Sequence, residues 1–146
     1  MVIRTARLAD LDALQAVFRD ASLDNEGDRP ALLANPDALV LNATSIHEQR
    51  TRAAVVDGVV VGFATLLRDG DACELEDLFV DPRWQRRGIG LALVKDAAAI
   101  ARAQGVRRID VTANPHAMAF YERAGFVPSG TAETRFGPAQ RMRLEA

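Results

Sequence analysis

A short segment rich in glycine and arginine is the part of this sequence best suited to chemistry with an anion. Its residues, in order, are Gln85, Arg86, Arg87, Gly88, Ile89 and Gly90, between a predicted strand end and a predicted helix start. Backbone N–H groups at a helix N-terminus have no partner within the helix and carry the positive end of its dipole. Glycines let a ligand approach the backbone, and arginines add positive charge. The segment therefore predicts a cradle for a pyrophosphate group, called here the phosphate cradle.

Two common phosphate-binding motifs do not fit the phosphate cradle. A dinucleotide fingerprint needs a third glycine after Gly88 and Gly90, but the chain continues as Leu91-Ala92-Leu93. A P-loop needs Gly-Lys followed by Ser or Thr, and this sequence does not contain it. The pattern that does fit is Gln-x-x-Gly-x-Gly, placed directly after the predicted strand end Phe79-Val80-Asp81-Pro82.

This block resembles the acetyl-CoA signature of the GNAT superfamily of N-acetyltransferases. A second block, Asn114 followed by Ala-Phe-Tyr-Glu-Arg-Ala-Gly-Phe over residues 119–126, is similar to the second signature of that superfamily. In that signature a tyrosine follows an apolar residue, and Gly-Phe closes the helix. The distance between the blocks fits one helix and one strand, and the predicted element order extends the resemblance over nearly the whole chain.

The resemblance implies how the co-substrate acetyl-CoA binds. It implies that acetyl-CoA lies between two splayed parallel strands, here 72–80 and 107–112, with the pyrophosphate on the N–H groups of residues 85–90. The pantetheine would pair with the backbone of Leu78, Phe79 and Val80 like an added strand, and a backbone N–H near Val80 would polarise the thioester carbonyl. Asn114 would hold the pantetheine amide or the strand end. As an alternative, Asn114 beside Pro115 is simply a helix N-cap, and both roles can coexist.

Two glutamates are candidates for the general base of such a reaction. A lysine-like amine has a pKa of about 10.4, so deprotonating it at pH 7 costs roughly 4–5 kcal/mol, which a carboxylate base lowers. Glu74 and Glu76 are two residues apart on a predicted strand and therefore share a face. A β-bulge would change which side chains point inward, so we expect Glu76 slightly more than Glu74 and retain both. The alternative is a solvated strand face.

Tyr121 is the candidate general acid. The resemblance implies that it lies at the sulfur of the leaving thiolate. Proton transfer from a phenol with a pKa of about 10 to a thiolate whose thiol has a pKa near 8.5 is unfavourable by only a small free energy. The alternative is a core aromatic in an apolar helix. Arg86 and Arg87 are expected to contact phosphate more than Arg83, although all three could be surface charges.

The elements that must position these residues follow from hydrophobic periodicity and turn signals. Leu8, Leu11, Leu14 and Phe18 have helical spacing, whereas residues 24–30 are predicted to be a loop and 31–48 are ambiguous. Turns at Asp57-Gly58 and Asp69-Gly70 predict an antiparallel meander over 52–80. A helix with the face Ile89, Leu93, Ala97 and Ile100 then leads to a strand at 107–112, a short helix from Asn114-Pro115 to Ala124, and strands at 126–127 and 141–144. The predicted fold class is α+β, a GNAT-like, mostly antiparallel mixed sheet with one splayed parallel pair and helices on both faces.

Composition limits the other classes. The chain has 146 residues, which predicts a single domain over 1–146. The chain has one cysteine, Cys73, which excludes a disulfide framework. With only two histidines besides, we expect no metal site. The net charge is 18 − 20 = −2, so we expect no nucleic-acid partner. The N-terminus lacks a signal-peptide pattern, and no apolar run is long enough for a membrane, so the expected location is cytoplasmic.

The leading hypothesis is therefore an acetyl-CoA-dependent N-acetyltransferase acting on a primary amine of a small molecule or peptide. An alternative is a non-catalytic module on the same scaffold that binds or senses acyl-CoA. A third is an acetyltransferase of aminoacyl-tRNA, which needs a broad basic face that the net charge disfavours. The sequence does not identify the acceptor, and a homodimer is an expectation from the superfamily alone.

Overall fold

Seven strands and five α-helices make up the computed structural model, which describes residues 1–146. The strands are β1 (Val2–Thr5), β2 (Thr51–Val56), β3 (Val59–Asp69), β4 (Ala72–Val80), β5 (Arg108–Ala113), β6 (Val127–Thr134) and β7 (Gly137–Glu145). The helices are α1 (Leu11–Leu23), α2 (Arg29–Ala34), α3 (Thr44–His47), α4 (Ile89–Ala103) and α5 (Met118–Arg123). Short 3₁₀ helices cover Leu8–Asp10, Pro36–Leu39, Pro82–Trp84 and Pro115–Ala117. None of the helices combines the length and the apolar character that crossing a membrane requires.

The strands form one mixed sheet in the order β1-β2-β3-β4-β5-β7-β6. β4 and β5 are parallel, because α4 connects them as a crossover helix, whereas β1–β2, β2–β3, β5–β7 and β6–β7 pair in antiparallel fashion. The parallel register joins Cys73, Glu74 and Leu75 to β5 and ends there, although β4 continues to Val80. The predicted α+β fold with a single parallel pair is therefore confirmed.

The β2–β3 hairpin has the turn that its sequence predicts. Asp57 and Gly58 both have positive φ, at 50° and 78°, which is the backbone geometry of a tight turn matched to strand twist. The register shifts between Ala54 and Val55, so a bulge precedes the turn. The Asp-Gly signal therefore gave the correct connection and the correct antiparallel pairing.

The chain divides into two compact units, each with its own buried apolar residues. The first unit is Met1–Thr65 with Asp77–Leu93, and the second is Leu66–Glu76 with Val94–Ala146. The core of the first unit contains Ala6, Leu14, Val17, Ile46, Ala53, Val60 and Phe63. The buried residues of the second unit include Cys73, Leu75, Val94, Ala97, Ala101, Ile109, Val111, Tyr121, Phe126 and Met142.

Three predictions about the helices need correction. Leu8 is half exposed because it belongs to a 3₁₀ turn that precedes α1, and Val17 is buried on the helix instead. The predicted loop at 24–30 ends early, since α2 begins at Arg29 with a proline at its second position. On α4, Ile89, Leu93 and Ala97 are buried as predicted, but Ile100 is only partly buried.

The segment after β5 also differs from the prediction. Asn114 occupies the N-cap position before Pro115, but its side chain makes no capping hydrogen bond. The predicted single helix is split into a 3₁₀ turn and the six-residue α5, because the first turn takes the tighter form common at helix starts. The final hairpin, β6–β7, is longer than the two short strands that the sequence indicated, since exposed polar residues form most of β6 and hide its pattern.

A partly buried ion pair joins β1 to the 3₁₀ turn before α1. Arg4 donates to both carboxylate oxygens of Asp10 at 2.8 and 2.9 Å, and the Arg7 N–H donates to the same carboxylate at 2.8 Å. The hydrogen bonds from Arg4 lower the pKa of Asp10 from 3.8 to about 2, against the opposing effect of burial. The folded state therefore stabilises the ionised carboxylate.

This pair predicts a specific acid sensitivity. Because the folded-state pKa is depressed, the stabilisation is present above about pH 4 and is lost as the pH falls through about 2. We expect the free energy of unfolding to contain a pH-dependent part on the order of 1–2 kcal/mol that Asp10→Asn removes. Urea unfolding at a series of pH values measures it. Identical pH slopes for the native chain and Asp10→Asn would show that the pair contributes nothing.

Candidate active site

The phosphate cradle, residues 85–90, joins a 3₁₀ turn to the start of α4. Arg86 and Gly88 both have positive φ, at 63° and 77°, so the backbone bends sharply twice before the helix begins. Ala92 is the first residue whose N–H bonds back into the helix, to the Gly88 carbonyl at 3.0 Å. The N–H groups of Ile89, Gly90 and Leu91 therefore have no partner within the helix. A Cβ at Gly88 would meet nothing within 4 Å, so the approach to this backbone is open.

The arginines around the phosphate cradle differ in whether a carboxylate already neutralises them. Gln85, Arg86 and Arg87 are exposed. The Arg87 guanidinium lies over the Trp84 ring, 4.7 Å from its centroid, which orients that cation without neutralising it. Arg83 instead pairs with Asp81 at 2.7 Å. The donor set of helix-start N–H groups and two arginines fits a pyrophosphate, whereas Arg83 already pairs with Asp81. Contact of Arg86 and Arg87 with phosphate stays a prediction.

The C-terminal half of β4 combines a fixed side chain with a half-buried backbone. Leu78, Phe79 and Val80 are all of intermediate exposure. The Phe79 ring packs edge-on against Phe18, with centroids 4.9 Å apart, and against Phe63 at 5.6 Å. These aromatic contacts fix the strand end that leads into the phosphate cradle.

Gly62 on β3 is a positioning residue that the sequence analysis missed. A Cβ at this position would lie 2.9 Å from the Phe79 carbonyl oxygen and 3.3 Å from side-chain atoms of both Ile89 and Leu93. Only glycine therefore allows the end of β4 and the first turn of α4 to approach β3 this closely. An isolated glycine within an apolar strand is the signal that indicates such an approach.

Gly62→Ala is expected to lower the free energy of unfolding by about 1–3 kcal/mol, the usual cost of overpacking, because the closest atom is backbone and moves only with its strand. We also expect weaker acetyl-CoA binding, since the displaced strand end leads into the phosphate cradle. Gly70→Ala is the control, because its Cβ meets nothing and only the positive φ of 61° adds strain. Chemical unfolding and calorimetry measure both variants. Native stability in Gly62→Ala would refute the packing argument.

The two candidate bases on β4 have different environments. Glu74 accepts hydrogen bonds from Arg141 on β7, with its two oxygens 2.5 and 3.1 Å from the two terminal nitrogens. Arg141 also donates to Thr112 at 2.9 Å and lies 4.0 Å from Asp110. The Glu74 hydrogen bond is the main reason that the pKa of Arg141 is raised. Glu76 is exposed and two residues further along the strand.

Tyr121 is buried on α5, with 7% of its surface exposed. Its ring makes edge-to-face contacts with Phe120 and with Phe126, both with centroids 5.2 Å apart. Asn114 lies on the surface at the end of β5. Aromatic packing therefore holds the ring of Tyr121, as expected if it were only a core aromatic. The same packing also fixes the direction of its hydroxyl group.

The predicted site residues fall into two groups. The first unit contains Leu78, Phe79, Val80, Gln85, Arg86, Arg87, Gly88, Ile89 and Gly90. The second unit contains Glu74, Glu76, Asn114 and Tyr121. Arg141 was not predicted as a partner of Glu74, because the two residues are 67 positions apart.

Comparison with known proteins agrees with this geometry. Residues 12–126 match the model of the acetyltransferase (GNAT) family. Glucosamine 6-phosphate N-acetyltransferase of Trypanosoma brucei brucei is 32% identical over 97 residues, which are 56% of this chain and 66% of that protein. The matched segments span between 36% and 66% of the length of three curated relatives.

Solved structures show the same fold. A GCN5-related N-acetyltransferase from Rhodopseudomonas palustris has a TM-score of 0.82 at 23% identity, covering 99% of this chain and 95% of that chain. The PaiA N-acetyltransferase of Thermoplasma acidophilum, solved in complex with coenzyme A, has a TM-score of 0.78 at 20% identity, covering 99% and 98%. Since the family model matches most of the chain, the chain belongs to the GNAT family of acetyltransferases, as its two signature blocks predicted.

Proposed function

We propose that this chain transfers an acetyl group from acetyl-CoA to a primary amine. The observation that carries the proposal is the phosphate cradle, which offers the unpaired N–H groups of Ile89, Gly90 and Leu91 beside two exposed arginines. A helix N-terminus with these features favours a pyrophosphate. Acetyl-CoA supplies an activated acetyl thioester, and the residues of the chain bind it and move protons.

Glu76 is the base that we propose for the acceptor amine. The amine nitrogen forms a bond to the thioester carbon, the C–S bond breaks, and one amine proton passes to the carboxylate, directly or through water. Glu74 is the second candidate, and Arg141 engages both of its oxygens. Exposure of Glu76 is compatible with this role, since the base must be reached by an incoming amine.

Tyr121 is the acid that we propose for the leaving thiolate of coenzyme A. Its hydroxyl group donates a proton to the sulfur as the C–S bond breaks, so the products are an amide and a neutral thiol, and solvent then takes the proton from Glu76 and returns one to the phenolate. Aromatic packing on two sides supports this role, because a fixed ring keeps the hydroxyl in one direction. The N–H of Val80 and the side chain of Asn114 are proposed to hold the thioester carbonyl and the pantetheine.

The proposed reaction needs a primary amine as acceptor, and the names of similar proteins suggest which amines to test first. One matched protein is a glucosamine 6-phosphate N-acetyltransferase, and structural neighbours include an aminoglycoside 6′-N-acetyltransferase and a ribosomal-protein-alanine N-acetyltransferase. Amino sugars, aminoglycosides and peptide N-termini are therefore the three groups of a first panel. All three present a primary amine to the base.

An acetyl-transfer assay tests the proposal. The purified chain is incubated with acetyl-CoA and each amine of the panel, and the released thiol is measured together with the mass of the product. We expect thiol release that depends on an amine and a product heavier by one acetyl group. Tight binding of acetyl-CoA without transfer to any amine would instead support the alternative, a module that binds or senses acyl-CoA.

A further inference from the structure

An ion pair directly after β4 lies at the turn that precedes the phosphate cradle. Asp81 is buried, with 5% of its surface exposed, and its N–H donates to the Val61 carbonyl on β3 at 2.8 Å. Its carboxylate accepts three hydrogen bonds from Arg83, one from the backbone N–H at 2.9 Å and two from the guanidinium at 3.0 and 2.7 Å. The Trp84 N–H donates to the Asp81 carbonyl at 2.8 Å. One residue therefore fixes both ends of the Pro82–Trp84 turn.

The guanidinium of Arg83 reaches two carboxylates and is otherwise in solvent. Its side chain is 77% exposed, and it lies 3.9 Å from Asp20 on α1 as well as 2.7 Å from Asp81. With two acidic neighbours, this cation is a poor partner for a phosphate. Arg87, in contrast, contacts the face of Trp84 and has its charge available.

We propose that Asp81 is a positioning residue for coenzyme binding, which acts through Trp84 on Arg87. Asp81, held by Arg83, fixes the turn. The turn fixes the Trp84 ring, and the ring orients the Arg87 guanidinium beside the unpaired N–H groups at the start of α4. The inference rests on the proposed function, because it assigns Arg87 to the pyrophosphate of acetyl-CoA.

The chain contains a matched control for this argument. Asp10 also accepts two bonds from an arginine guanidinium and one from a backbone N–H, and it ends a 3₁₀ turn directly before α1. It is similarly buried, but it lies in the 3₁₀ turn Leu8–Asp10 and not at the phosphate cradle. A variant at Asp10 therefore reproduces the loss of a buried carboxylate's ion pair without the proposed effect on the coenzyme.

The experiment compares Asp81→Asn, Arg83→Gln and Asp10→Asn with the native chain. In Asp81→Asn, the amide nitrogen faces guanidinium donors and cannot accept their bonds. We expect the Kd of acetyl-CoA to rise about 10-fold in Asp81→Asn and Arg83→Gln, with kcat at saturating acetyl-CoA within about two-fold of native. Asp10→Asn is expected to lower Tm comparably and to leave the Kd within about two-fold. Arg83→Gln changes an exposed side chain, so it serves as the folded variant if Asp81→Asn does not fold.

The outcomes separate this inference from the proposed function. If the native chain binds acetyl-CoA and neither Asp81→Asn nor Arg83→Gln changes the Kd, the positioning role is wrong and the proposed function stands. An equal loss of affinity in Asp10→Asn would show a general effect of stability and would also overturn the inference. If the folded native chain does not bind acetyl-CoA, the proposed function fails and the inference fails with it.

Discussion

Tyr121→Phe is expected to lower kcat about 100-fold while the Kd of acetyl-CoA stays within about two-fold, in line with the loss of a general acid. The substitution removes one hydroxyl group and keeps the ring that packs against Phe120 and Phe126. Without the phenol, the thiolate of coenzyme A must leave as an anion or take its proton from water. Steady-state thiol release at saturating substrates measures kcat, and calorimetry measures binding.

A second variant separates the hydroxyl group from the packing around it. Phe120→Leu removes one of the two edge-to-face contacts and keeps the phenol, so we expect lower stability and kcat within about five-fold of native. Tyr121 is the only tyrosine in the chain, so no other phenol of the protein can take over its role. Unchanged kcat in Tyr121→Phe would reject the acid role and leave Tyr121 as a core aromatic.

Glu76→Gln is expected to lower kcat/KM at pH 7 by about 10²- to 10³-fold, because the acceptor amine loses its base. The deficit is expected to shrink as the pH rises toward the amine pKa of about 10.4, since the amine then reaches its neutral form without help. A pH–rate profile of the native chain and the variant measures this. A structural role for Glu76 would give a deficit that does not depend on pH.

Glu74→Gln is the matched control on the same strand. It leaves Arg141 without its bidentate partner, so we expect reduced stability together with kcat/KM within about five-fold of native. If Glu74→Gln lowered kcat/KM more than Glu76→Gln, with the pH dependence described for a base, Glu74 would be the base and Glu76 would not. This pair of variants therefore decides which glutamate is the base.

Local signals predicted most of the fold. Asp57-Gly58 predicted the hairpin, because a tight turn needs residues that accept positive φ, and the two signature blocks predicted the family. Leu8 was assigned to the wrong environment, since helical spacing does not reveal a 3₁₀ turn before the helix. Asn114 has the residue type of an N-cap but not the hydrogen bond, because side-chain direction is set by surroundings that spacing does not report.

The interactions that the sequence could not predict are those between distant residues. Arg141 and Glu74 meet because β7 and β4 both flank β5 in the sheet, and their separation along the chain gives no hint of it. The role of Gly62 depends on the approach of Phe79, Ile89 and Leu93, which only the packed structure shows. Asp81 lies shortly before the signature block, but its burial and its bonds to Arg83 are tertiary facts.

Calorimetric titration of the purified, folded chain with acetyl-CoA tests the central claim most directly. NAD and ATP are the controls, because both carry a pyrophosphate and an adenine but neither has a pantetheine arm. The account predicts a Kd for acetyl-CoA in the micromolar range, corresponding to about 8 kcal/mol, and binding of NAD and ATP at least ten-fold weaker. Absence of acetyl-CoA binding by a folded sample would contradict the account, and the phosphate cradle would then be a feature of the fold without its function.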